Sequence, residues 1–358
     1  GLFTGDEHFA GKNPSQGTEL CAVVEYMFSL EYAISALGDP SFADRLESLA
    51  YNALPATFTP DMWAHQYDQQ ANQVICSIAK KDWSNGPDAN IYGLEPNFGC
   101  CTANMHQGWP KFTASLWMAG KNGIVAVAYA PCTVTAKTPS GDPVTIRECT
   151  DYPFNDVIRF RIETQKPVSF SLMLRIPGWA TNATIELPDG KVISPQAGSF
   201  AEIEREWNDG DIVTLTLPME VRTERGYHGS VALKRGPLVY SLKIEEEWKL
   251  VKGVPPHGDW EVYPTSPWNY GLLIDLDHPE NSVEVEKLPL GDMPFSPEGA
   301  PIRLKVRGRR IPEWTIEDNW AGPLPTSPVT SHEPLEDLIL IPYGSTNLRV
   351  TEFPLLER

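Results

Sequence analysis

The spacing of hydrophobic residues changes near Gly120, and this change limits the possible folds more than any other feature of the chain. Before it, apolar residues such as Val23, Val24 and Met27 recur at three- and four-residue steps, which predicts amphipathic helices. After it, short runs such as VSFSLMLRI alternate apolar and polar residues between turn sequences such as LPDG. This pattern predicts half-buried antiparallel strands. We therefore expect an α+β multidomain chain in which helices precede one or more antiparallel β-sandwiches.

The domain boundaries follow from these patterns and from length, because 358 residues exceed what one hydrophobic core usually serves. We predict that residues 1–120 form the helical part and that residues 121–225 form a β-sandwich. Residues 226–358 are predicted to form a second β-rich domain, with strands of its own or shared with the first.

Three helices are predicted in the first part of the chain. Thr18, Ser41 and Thr102 are the candidate N-caps, and Gly38 and Gly120 are placed at the C-terminal ends of the first and third helices. These signals predict that the first 120 residues are helical throughout.

The chain is strongly acidic, with 29 basic and 47 acidic residues and a net charge of −18. A nucleic-acid backbone or an anionic membrane would be repelled, whereas neutral polymers such as polysaccharides remain open as partners. No uninterrupted apolar run approaches the roughly 20 residues of a membrane span, and the pattern of residues 1–16 does not predict a targeting signal in this segment. We expect a soluble protein, with the compartment (cytoplasmic, periplasmic or secreted) left open.

Two adjacent cysteines, Cys100 and Cys101, follow the turn sequence PNFG and precede a predicted helix. Three interpretations are open: ordinary core thiols, a strained vicinal disulfide, or two thiolates that bind a metal ion. A helix N-terminus stabilises a thiolate, because its free N–H groups and the positive end of its dipole lower the pKa of the thiol. Position therefore favours the metal. Cys132 and Cys149 are expected to be buried thiols.

A second group of candidate ligands lies in TELC, where Glu19 and Cys21 fall in the first turn of another predicted helix. With Cys100 and Cys101 they would make a Cys3Glu set that suits tetrahedral Zn²⁺. Either half alone would be weak evidence, because E-x-C is frequent by chance.

Seven segments together resemble the DUF1680 family, which is glycoside hydrolase family 127 (GH127) and its relatives, best known for β-L-arabinofuranosidases. The segments are DEHFAG, GTELCAVVEYMFSLEYAI, LESLAYNALPATF, FGCCTANMHQGWPKF, LRIPGWA, LKRGPLVYSL and PWNYGL. The resemblance implies that residues 1–120 are the last helices of an (α/α)6-barrel catalytic domain, so that the chain is similar to the C-terminal half of the family. It also implies an upstream segment of the same protein as a partner, without which activity would be doubtful. The first residues, which lack an initiator Met, agree with this expectation.

The resemblance implies a role for each of the four candidate ligands. Zn²⁺ would be held by Glu19, Cys21, Cys100 and Cys101, and Cys100 would also be the nucleophile that attacks the anomeric carbon. A thiolate would then replace the carboxylate nucleophile of most retaining glycosidases.

Three further site residues are implied. Glu7 in GDEHFAG would be the acid/base, with the neighbouring Asp6 as its rival, while Tyr67 in WAHQYDQQ would contact the sugar and Glu47 in RLESLAYN would support the site. Each has a simpler interpretation: a solvated loop carboxylate for Glu7, a half-buried aromatic for Tyr67, and a helix-surface charge for Glu47. His65 is expected to be a structural histidine.

The function implied is that of a retaining glycosidase that releases β-L-arabinofuranose from plant cell-wall or glycoprotein glycans of the arabinan type. A related plant-wall sugar, such as an acidic branched sugar of pectin, is the rival substrate. Two alternatives from other classes are a non-catalytic carbohydrate-binding protein and a structural zinc protein whose four ligands only brace two helix starts.

Overall fold

The computed structural model describes Glu7, Phe9 and residues 11–357, and within them strands greatly outnumber helices. The described residues contain three α-helices: α1 (Leu20–Leu37), α2 (Pro40–Ser48) and α3 (Gly99–Ala114). Helix α2 continues into a π-helical turn at Leu49–Ala53. Strands are numbered β1 to β23 along the chain. The prediction of a sheet-rich chain with a few helices ahead of the sheets is confirmed, and membership of the helices in an (α/α)6 barrel stays a prediction.

The helices begin at residues other than those predicted. Thr18 lies in strand β1 (Gly17–Glu19), and α1 begins only at Leu20. Helix α2 begins at Pro40. The carboxylate of Asp39 accepts a hydrogen bond from the Ser41 N–H at 2.9 Å, so Asp39 is the N-cap in place of Ser41. Gly38 ends α1 as predicted: its φ is 67°, and its N–H donates to the Ile34 carbonyl.

Helix α3 also differs from the sequence pattern at both ends. It starts at Gly99, which places Thr102 inside its first turn, and it ends at Ala114 rather than at Gly120. Pro110 lies within the helix. The residues beyond it form a strand, β3 (Trp117–Ala119), because the chain there pairs with a neighbouring strand.

The prediction that residues 1–120 are helical throughout is wrong for the stretch between α2 and α3. Apart from the π turn, a short 3-10 turn at Pro55–Thr57 and strand β2 (Asp68–Gln70), the described residues there are irregular. Buried side-chain amides take the place of a regular ladder. Gln69 donates to the Ala53 carbonyl at 2.6 Å and Gln66 donates to the Asn90 carbonyl at 2.7 Å. Such bonds satisfy buried carbonyls without secondary structure.

The chain divides into two compact units, and each is described by itself. The first unit comprises the residues up to 26, residues 48–108 and the residues from 221 on, and the second comprises residues 27–47 and 109–220. Helices α1 and α3 contribute residues to both. The division into three domains at residues 120 and 225 stays a prediction.

The second unit contains two sheets among its described residues. The first has the order β11-β8-β4-β3 and the second has the order β10-β9-β12-β7-β6-β5. The strands not yet given are β4 (Gly123–Ala126), β5 (Cys132–Lys137), β6 (Pro143–Thr150), β7 (Val157–Glu163), β8 (Val168–Ile176), β9 (Thr184–Glu186), β10 (Val192–Ile193), β11 (Ser199–Trp207) and β12 (Ile212–Thr216). The ring of Trp117 in one sheet meets Phe160 in the other at 5.7 Å between centroids. This arrangement is compatible with the predicted β-sandwich.

Strand β8 departs from the predicted half-buried antiparallel strand in two respects. It pairs antiparallel with β11 but parallel with β4, so the sheet is mixed. The face predicted to be polar is also buried toward the end of the strand, where Ser171 and Arg175 are buried together with Leu172 and Leu174. A strand with neighbours on both sides can be covered on both faces, which sequence alternation alone does not show.

The first unit contains the remaining sheets. The largest has the order β13-β14-β15-β23-β20-β18, and β19 pairs with β20. Its strands are β13 (Val221–Arg225), β14 (Val231–Arg235), β15 (Leu238–Leu242), β18 (Tyr270–Leu272), β19 (Glu284–Lys287), β20 (Ile302–Arg310) and β23 (Leu335–Pro342). The described residues of the unit also form three two-stranded pairs: β1 with β2, β16 (Glu246–Val254) with β17 (His257–Pro264), and β21 (Ile316–Glu317) with β22 (Trp320–Ala321).

Helix α1 is long and apolar enough, by length and average composition, to cross a membrane. It did not stand out in the sequence, because polar residues interrupt its apolar run. The core helix of a globular protein passes the same test. In α1 the residues Leu20, Val24, Met27 and Ile34 are buried, and their spacing is that of a helix face that packs on a core.

A buried ion pair joins helix α2 to the sheet of strand β8 within the second unit. The guanidinium of Arg175, fully buried, contacts the carboxylate of Glu47 at 2.5 Å and also that of Asp44. Glu47 is itself fully buried, and it also accepts the Tyr152 hydroxyl at 2.5 Å and the Tyr129 N–H at 3.1 Å. Every oxygen of this carboxylate is thus engaged by the protein, which makes it a structural anchor.

Replacing Glu47 by Gln should lower the free energy of unfolding by about 3–5 kcal/mol, because it leaves a buried guanidinium without its buried partner. Denaturant titration measures this loss. The matched control is Glu163→Gln, which breaks the exposed pair between Arg147 and Glu163 and should cost about 0–1 kcal/mol. Equal losses in the two variants would contradict the anchoring role.

Glu31 on helix α1 is a second buried carboxylate of the second unit. Its exposed fraction is 5%, and burial raises its pKa to about 7, although Ser115 and Lys111 oppose the shift. Because the pKa in the folded state is higher than in the unfolded chain, the protonated form is favoured by folding. The stability that this contributes is present at acidic pH and is lost as the pH rises through 7.

We therefore expect Glu31→Gln to be more stable than the unmodified chain at pH 8, by about 1–3 kcal/mol, and to have nearly equal stability at pH 4, below the pKa of 4.5 of the unfolded side chain. Urea unfolding at the two pH values measures the difference. A variant that is equally or less stable than the unmodified chain at pH 8 would show that the folded state accommodates the charge.

Candidate metal centre

The first half of the candidate metal centre is the junction between strand β1 and helix α1. Strand β1 pairs with β2, with Glu19 opposite Asp68, and the next N–H, that of Leu20, donates to the Tyr67 carbonyl at 2.9 Å. The strand therefore fixes Glu19, while the helix that starts directly after it presents Cys21 from its first turn. Gly17 lets the strand lie against Trp83, because a Cβ at this position would approach the indole ring to 2.2 Å.

The second half is the start of helix α3. The turn predicted from PNFG is present: Asn97 has a φ of 63°, a left-handed conformation that asparagine tolerates, and the helix begins at Gly99. Cys100 and Cys101 therefore occupy the first turn, where N–H groups have no partner within the helix. Both are free thiols, which rules out the vicinal disulfide in this structure.

The two helix starts bring four ligand atoms together. One carboxylate oxygen of Glu19 and the sulfurs of Cys21, Cys100 and Cys101 all lie within 4.8 Å of one another. The sulfurs of Cys21 and Cys101 are 3.3 Å apart, and the sulfur of Cys101 is 3.8 Å from Glu19 Oε1. Residues about eighty positions apart in the sequence thus converge on one point.

The donor set fits a zinc ion. Zn²⁺ prefers sulfur and carboxylate ligands in a tetrahedron, and Zn–S bonds of about 2.3 Å separate two sulfur ligands by about 3.8 Å. The observed separations, between 3.3 and 4.8 Å, bracket this value. A hard ion such as Mg²⁺ would instead select an all-oxygen set.

The pKa shifts of the cysteines within the cluster also indicate that a cation is needed there. The hydrogen bond between the two sulfurs lowers the pKa of Cys21 and raises that of Cys101, so Cys21 loses its proton more readily than Cys101 does. Burial, followed by the neighbouring Cys21, raises the pKa of Cys100. Three thiolates and a carboxylate cannot share this space unless a positive charge compensates them.

The four side chains differ in how far they are exposed. Cys101 is fully buried, Glu19 is 6% exposed and Cys21 is half-buried, whereas Cys100 is exposed. The cluster therefore presents one sulfur to the outside and holds the other ligands within the protein.

Tyr67 lies directly beside this cluster. Its carbonyl caps the start of α1, and its ring is 6.0 Å from that of Phe98, two residues before Cys100. Its side chain is fully buried, so the interpretation as a half-buried aromatic is wrong. A direct sugar contact by Tyr67 stays a prediction.

Glu7 is an exposed residue with a φ of 54°, and it is not among the four groups that converge in the described part of the chain. Its rival, Asp6, lies outside the described residues. The acid/base role of either carboxylate stays a prediction.

Glu47 is not a helix-surface charge as its simpler interpretation held, because it is fully buried. Its contacts are those of the ion pair with Arg175 and the hydrogen bonds from Tyr152 and Tyr129. None of these contacts involves a residue of the metal cluster, and the predicted role of Glu47 in supporting the substrate site stays a prediction.

His65 and Thr102 form a support that the sequence pattern did not reveal. The ring nitrogens of His65, which is 2% exposed, contact the Gln66 carbonyl at 3.0 Å and the Thr102 hydroxyl at 2.9 Å. The expectation that His65 is structural is confirmed. It positions the first turn of α3, because Thr102 directly follows Cys101. The HQY and CCT segments contained both residues, but only the fold shows that they meet.

The remaining cysteines lie outside the cluster. Cys132 is half-buried beside Glu148, at 3.6 Å, and Cys149 is exposed, so the expectation of a buried thiol is wrong for Cys149. Alternation along strand β6 turns Cys149 away from the buried residues Ile146 and Glu148.

Comparisons with known proteins point to one class, the glycoside hydrolases. Residues 123–219 match the sequence model for the middle domain of GH127 β-L-arabinofuranosidases. This segment falls within the stretch for which a β-sandwich was predicted. No curated protein matches the sequence.

Solved structures extend the likeness to nearly the whole chain. A protein described as a glycoside hydrolase is 23% identical with a TM-score of 0.68, over 97% of this chain and 53% of the other. Ara127N, a GH127 β-L-arabinofuranosidase from Geobacillus stearothermophilus T6, is 20% identical with a TM-score of 0.67, over 97% and 51%. The GH127 β-arabinofuranosidase BT3674 is 18% identical with a TM-score of 0.69, over 98% and 52%.

The resemblance to GH127 is thereby confirmed: the chain is GH127-like in its middle segment and in its fold. At these identities the structural likeness establishes the fold alone. The chain spans about half the length of the structures that it matches.

We expect the purified chain to hold about one zinc ion, measurable by elemental mass spectrometry. Cys101→Ser should weaken zinc binding by at least about 100-fold in competition with a chromophoric chelator, because loss of a ligand exceeds the 10- to 100-fold cost of losing a residue behind one. Cys149→Ser is the matched control, since it removes an exposed thiol outside the cluster. Unchanged zinc affinity in Cys101→Ser would rule out the site.

Proposed function

We propose that this chain belongs to a retaining glycoside hydrolase with a zinc-bound cysteine nucleophile, which releases β-L-arabinofuranose or a related plant-wall sugar from glycans. The observation that carries the proposal is the exposure of Cys100 beside three more deeply held ligands. A structural zinc site is normally closed on all sides, whereas a reacting group must be reachable by substrate. The names of the matched GH127 structures favour β-L-arabinofuranosides as the substrate class.

The proposed division of labour follows from burial. Glu19, Cys21 and Cys101 would hold Zn²⁺ from the protein side, and Cys100 would complete the set at the surface. When bound, the ion would supply positive charge that keeps the sulfurs ionised at neutral pH. The N-terminus of α3 adds to this, because its free N–H groups favour a thiolate in the first turn.

The reaction would take place in two displacements at the anomeric carbon. The sulfur of Cys100 attacks this carbon and forms a C–S bond while the C–O bond to the leaving group breaks, and Glu7 gives its proton to the departing oxygen. Glu7 then takes a proton from water, whose oxygen displaces the sulfur and restores the thiolate. Two inversions leave the configuration of the sugar unchanged.

The three helices are proposed to be part of an (α/α)6 barrel. The support is the likeness of nearly the whole chain to structures about twice as long, which leaves room for further catalytic-domain residues in those proteins. Because these further residues can be needed for catalysis, the hydrolysis rate of the 358-residue chain and its zinc binding are measured in separate experiments.

Cys100→Ser should lower the hydrolysis rate of p-nitrophenyl β-L-arabinofuranoside by about 10⁴-fold or more, because it removes the nucleophile. The paired control is Cys149→Ser, which should hydrolyse the substrate at the unmodified rate. Circular dichroism and zinc content check that the Cys100 variant is folded. Full turnover in Cys100→Ser would overturn the mechanism and favour a structural zinc site.

Glu7→Gln tests the acid/base with two leaving groups. An alkyl leaving group needs protonation, whereas p-nitrophenolate leaves readily without it, so the variant should lose about 10²- to 10⁴-fold on an alkyl arabinofuranoside and less in the first step on the aryl one. Equal losses on both substrates would contradict an acid role for Glu7. If the zinc-loaded chain binds glycans but hydrolyses neither substrate, the non-catalytic carbohydrate-binding function is favoured.

A further inference from the structure

A cleft lined by tryptophans lies within the first unit. Trp63 forms one wall with its neighbours Thr59, Pro60, Asp61 and Ala64, and the hairpin of β16 and β17 forms the other wall with Trp248 and Trp260. The cleft has a volume of about 450 Å³. We call it the tryptophan cleft.

The aromatic rings of the tryptophan cleft are held in place from behind while their outer parts remain open. Trp248 packs on Tyr92 at 5.1 Å between centroids and on Trp260 at 6.4 Å, and the backbone of Trp260 exchanges two hydrogen bonds with Tyr92. Across the cleft, Trp63 is 49% exposed and touches the ring of His257 edge to face at 4.4 Å. Trp248 and Trp260 are thus supported from behind, and Trp63 adds exposed apolar surface on the other wall, which is uncommon away from binding sites.

The size and charge of the cleft restrict its occupant. A volume of about 450 Å³ falls in the range of pockets that bind small ligands. Among the described residues that line it, Asp61 is the ionisable one, and its carboxylate accepts hydrogen bonds from the Thr59 hydroxyl and the Trp63 N–H. No lysine or arginine lines the described walls, so an anionic ligand would meet only a negative charge. A neutral molecule with apolar faces and hydroxyl groups, which is the chemistry of a neutral sugar chain, suits this lining.

A short path of backbone connects the tryptophan cleft to the metal centre. Residues 92–94 run between them: Tyr92 bonds to Trp260, Gly93 exchanges two hydrogen bonds with His65, and the Leu94 carbonyl accepts the Thr102 hydroxyl at 3.2 Å. Thr102 follows Cys101, and His65 follows Ala64 of the cleft wall. Two residue steps of extended chain span about 7 Å, so the backbone that supports the cleft wall at Trp260 is close along this segment to the backbone that contacts Thr102 at the start of α3.

We propose that the tryptophan cleft is a subsite for a neutral oligosaccharide, and that it holds the glycan on the leaving-group side of the bond attacked by Cys100. The second half of this proposal rests on the proposed function, whereas binding in the cleft does not. The cleft would thereby select neutral arabinan-type glycans against acidic pectin fragments, which share the same plant-wall source.

Binding is measured by calorimetry and tryptophan fluorescence with the Cys100→Ser chain at a zinc concentration that saturates it, because Cys100 is also a proposed ligand; turnover then does not consume the probe. The probes are neutral arabino-oligosaccharides of three to five units and oligogalacturonides of the same length. We expect saturable binding of the neutral series, at least about 10-fold weaker binding of the acidic series, and an affinity loss of about 10-fold in Trp63→Ala. Trp63→Phe should recover most of the loss, because it restores an aromatic face.

Trp179→Ala is the matched control, since it removes a half-buried tryptophan that does not line the cleft and should leave binding unchanged. Near-ultraviolet circular dichroism checks the fold of each variant. Equal affinity for the acidic series, or unchanged affinity in folded Trp63→Ala, would overturn the proposal. Absence of hydrolysis together with cleft binding would refute only the link to Cys100, whereas hydrolysis of aryl arabinofuranosides without any oligosaccharide binding would refute the subsite alone.

Discussion

Electrostatic repulsion among three sulfurs and one carboxylate is the constraint on which the rest of the first unit depends. Four potentially anionic groups lie within 4.8 Å, although proteins normally keep such groups apart. Two devices make the arrangement stable: each half starts a helix, whose free N–H groups favour negative charge, and the donor set suits Zn²⁺. The pairing of β1 with β2 and the contact of His65 with Thr102 then fix each helix start.

Buried polar side chains also hold other parts of the backbone in place, and the spacing of hydrophobic residues in the sequence does not predict such contacts. The first unit buries amides such as Gln66 and Gln69, which hydrogen-bond to carbonyls of irregular chain, and the guanidinium of Arg349 donates to four more carbonyls. In the second unit a buried Arg175–Glu47 pair has a similar role. In both cases a costly desolvation is offset by nearly complete pairing; in the first unit this pairing holds irregular backbone, and in the second it joins helix α2 to strand β8.

The adjacent residues Cys100 and Cys101 differ in exposure, and this difference is the basis for proposing different roles for them. Successive residues in a helix differ in direction by about 100°, so Cys101 points into the protein while Cys100 reaches the surface. The same short ribbon, residues 92–94, supports both α3 and the wall of the tryptophan cleft. The sulfur proposed as nucleophile and the cleft proposed as a glycan subsite are therefore supported by the same segment.

By itself the sequence determined the change from helices to strands, the positions of several strands such as β8, and the identity of the four candidate ligands, because hydrophobic period and the E-x-C and C-C motifs are local properties. Only the tertiary structure decided that Glu19 and Cys21 meet Cys100 and Cys101, that Glu47 is a buried ion-pair partner, and that Trp63, Trp248 and Trp260 share one cleft. It also decided that the chain between α2 and α3 is irregular. The physical reason is the same in each case: these outcomes depend on contacts between residues distant in sequence, whose burial and pairing energies outweigh local preference.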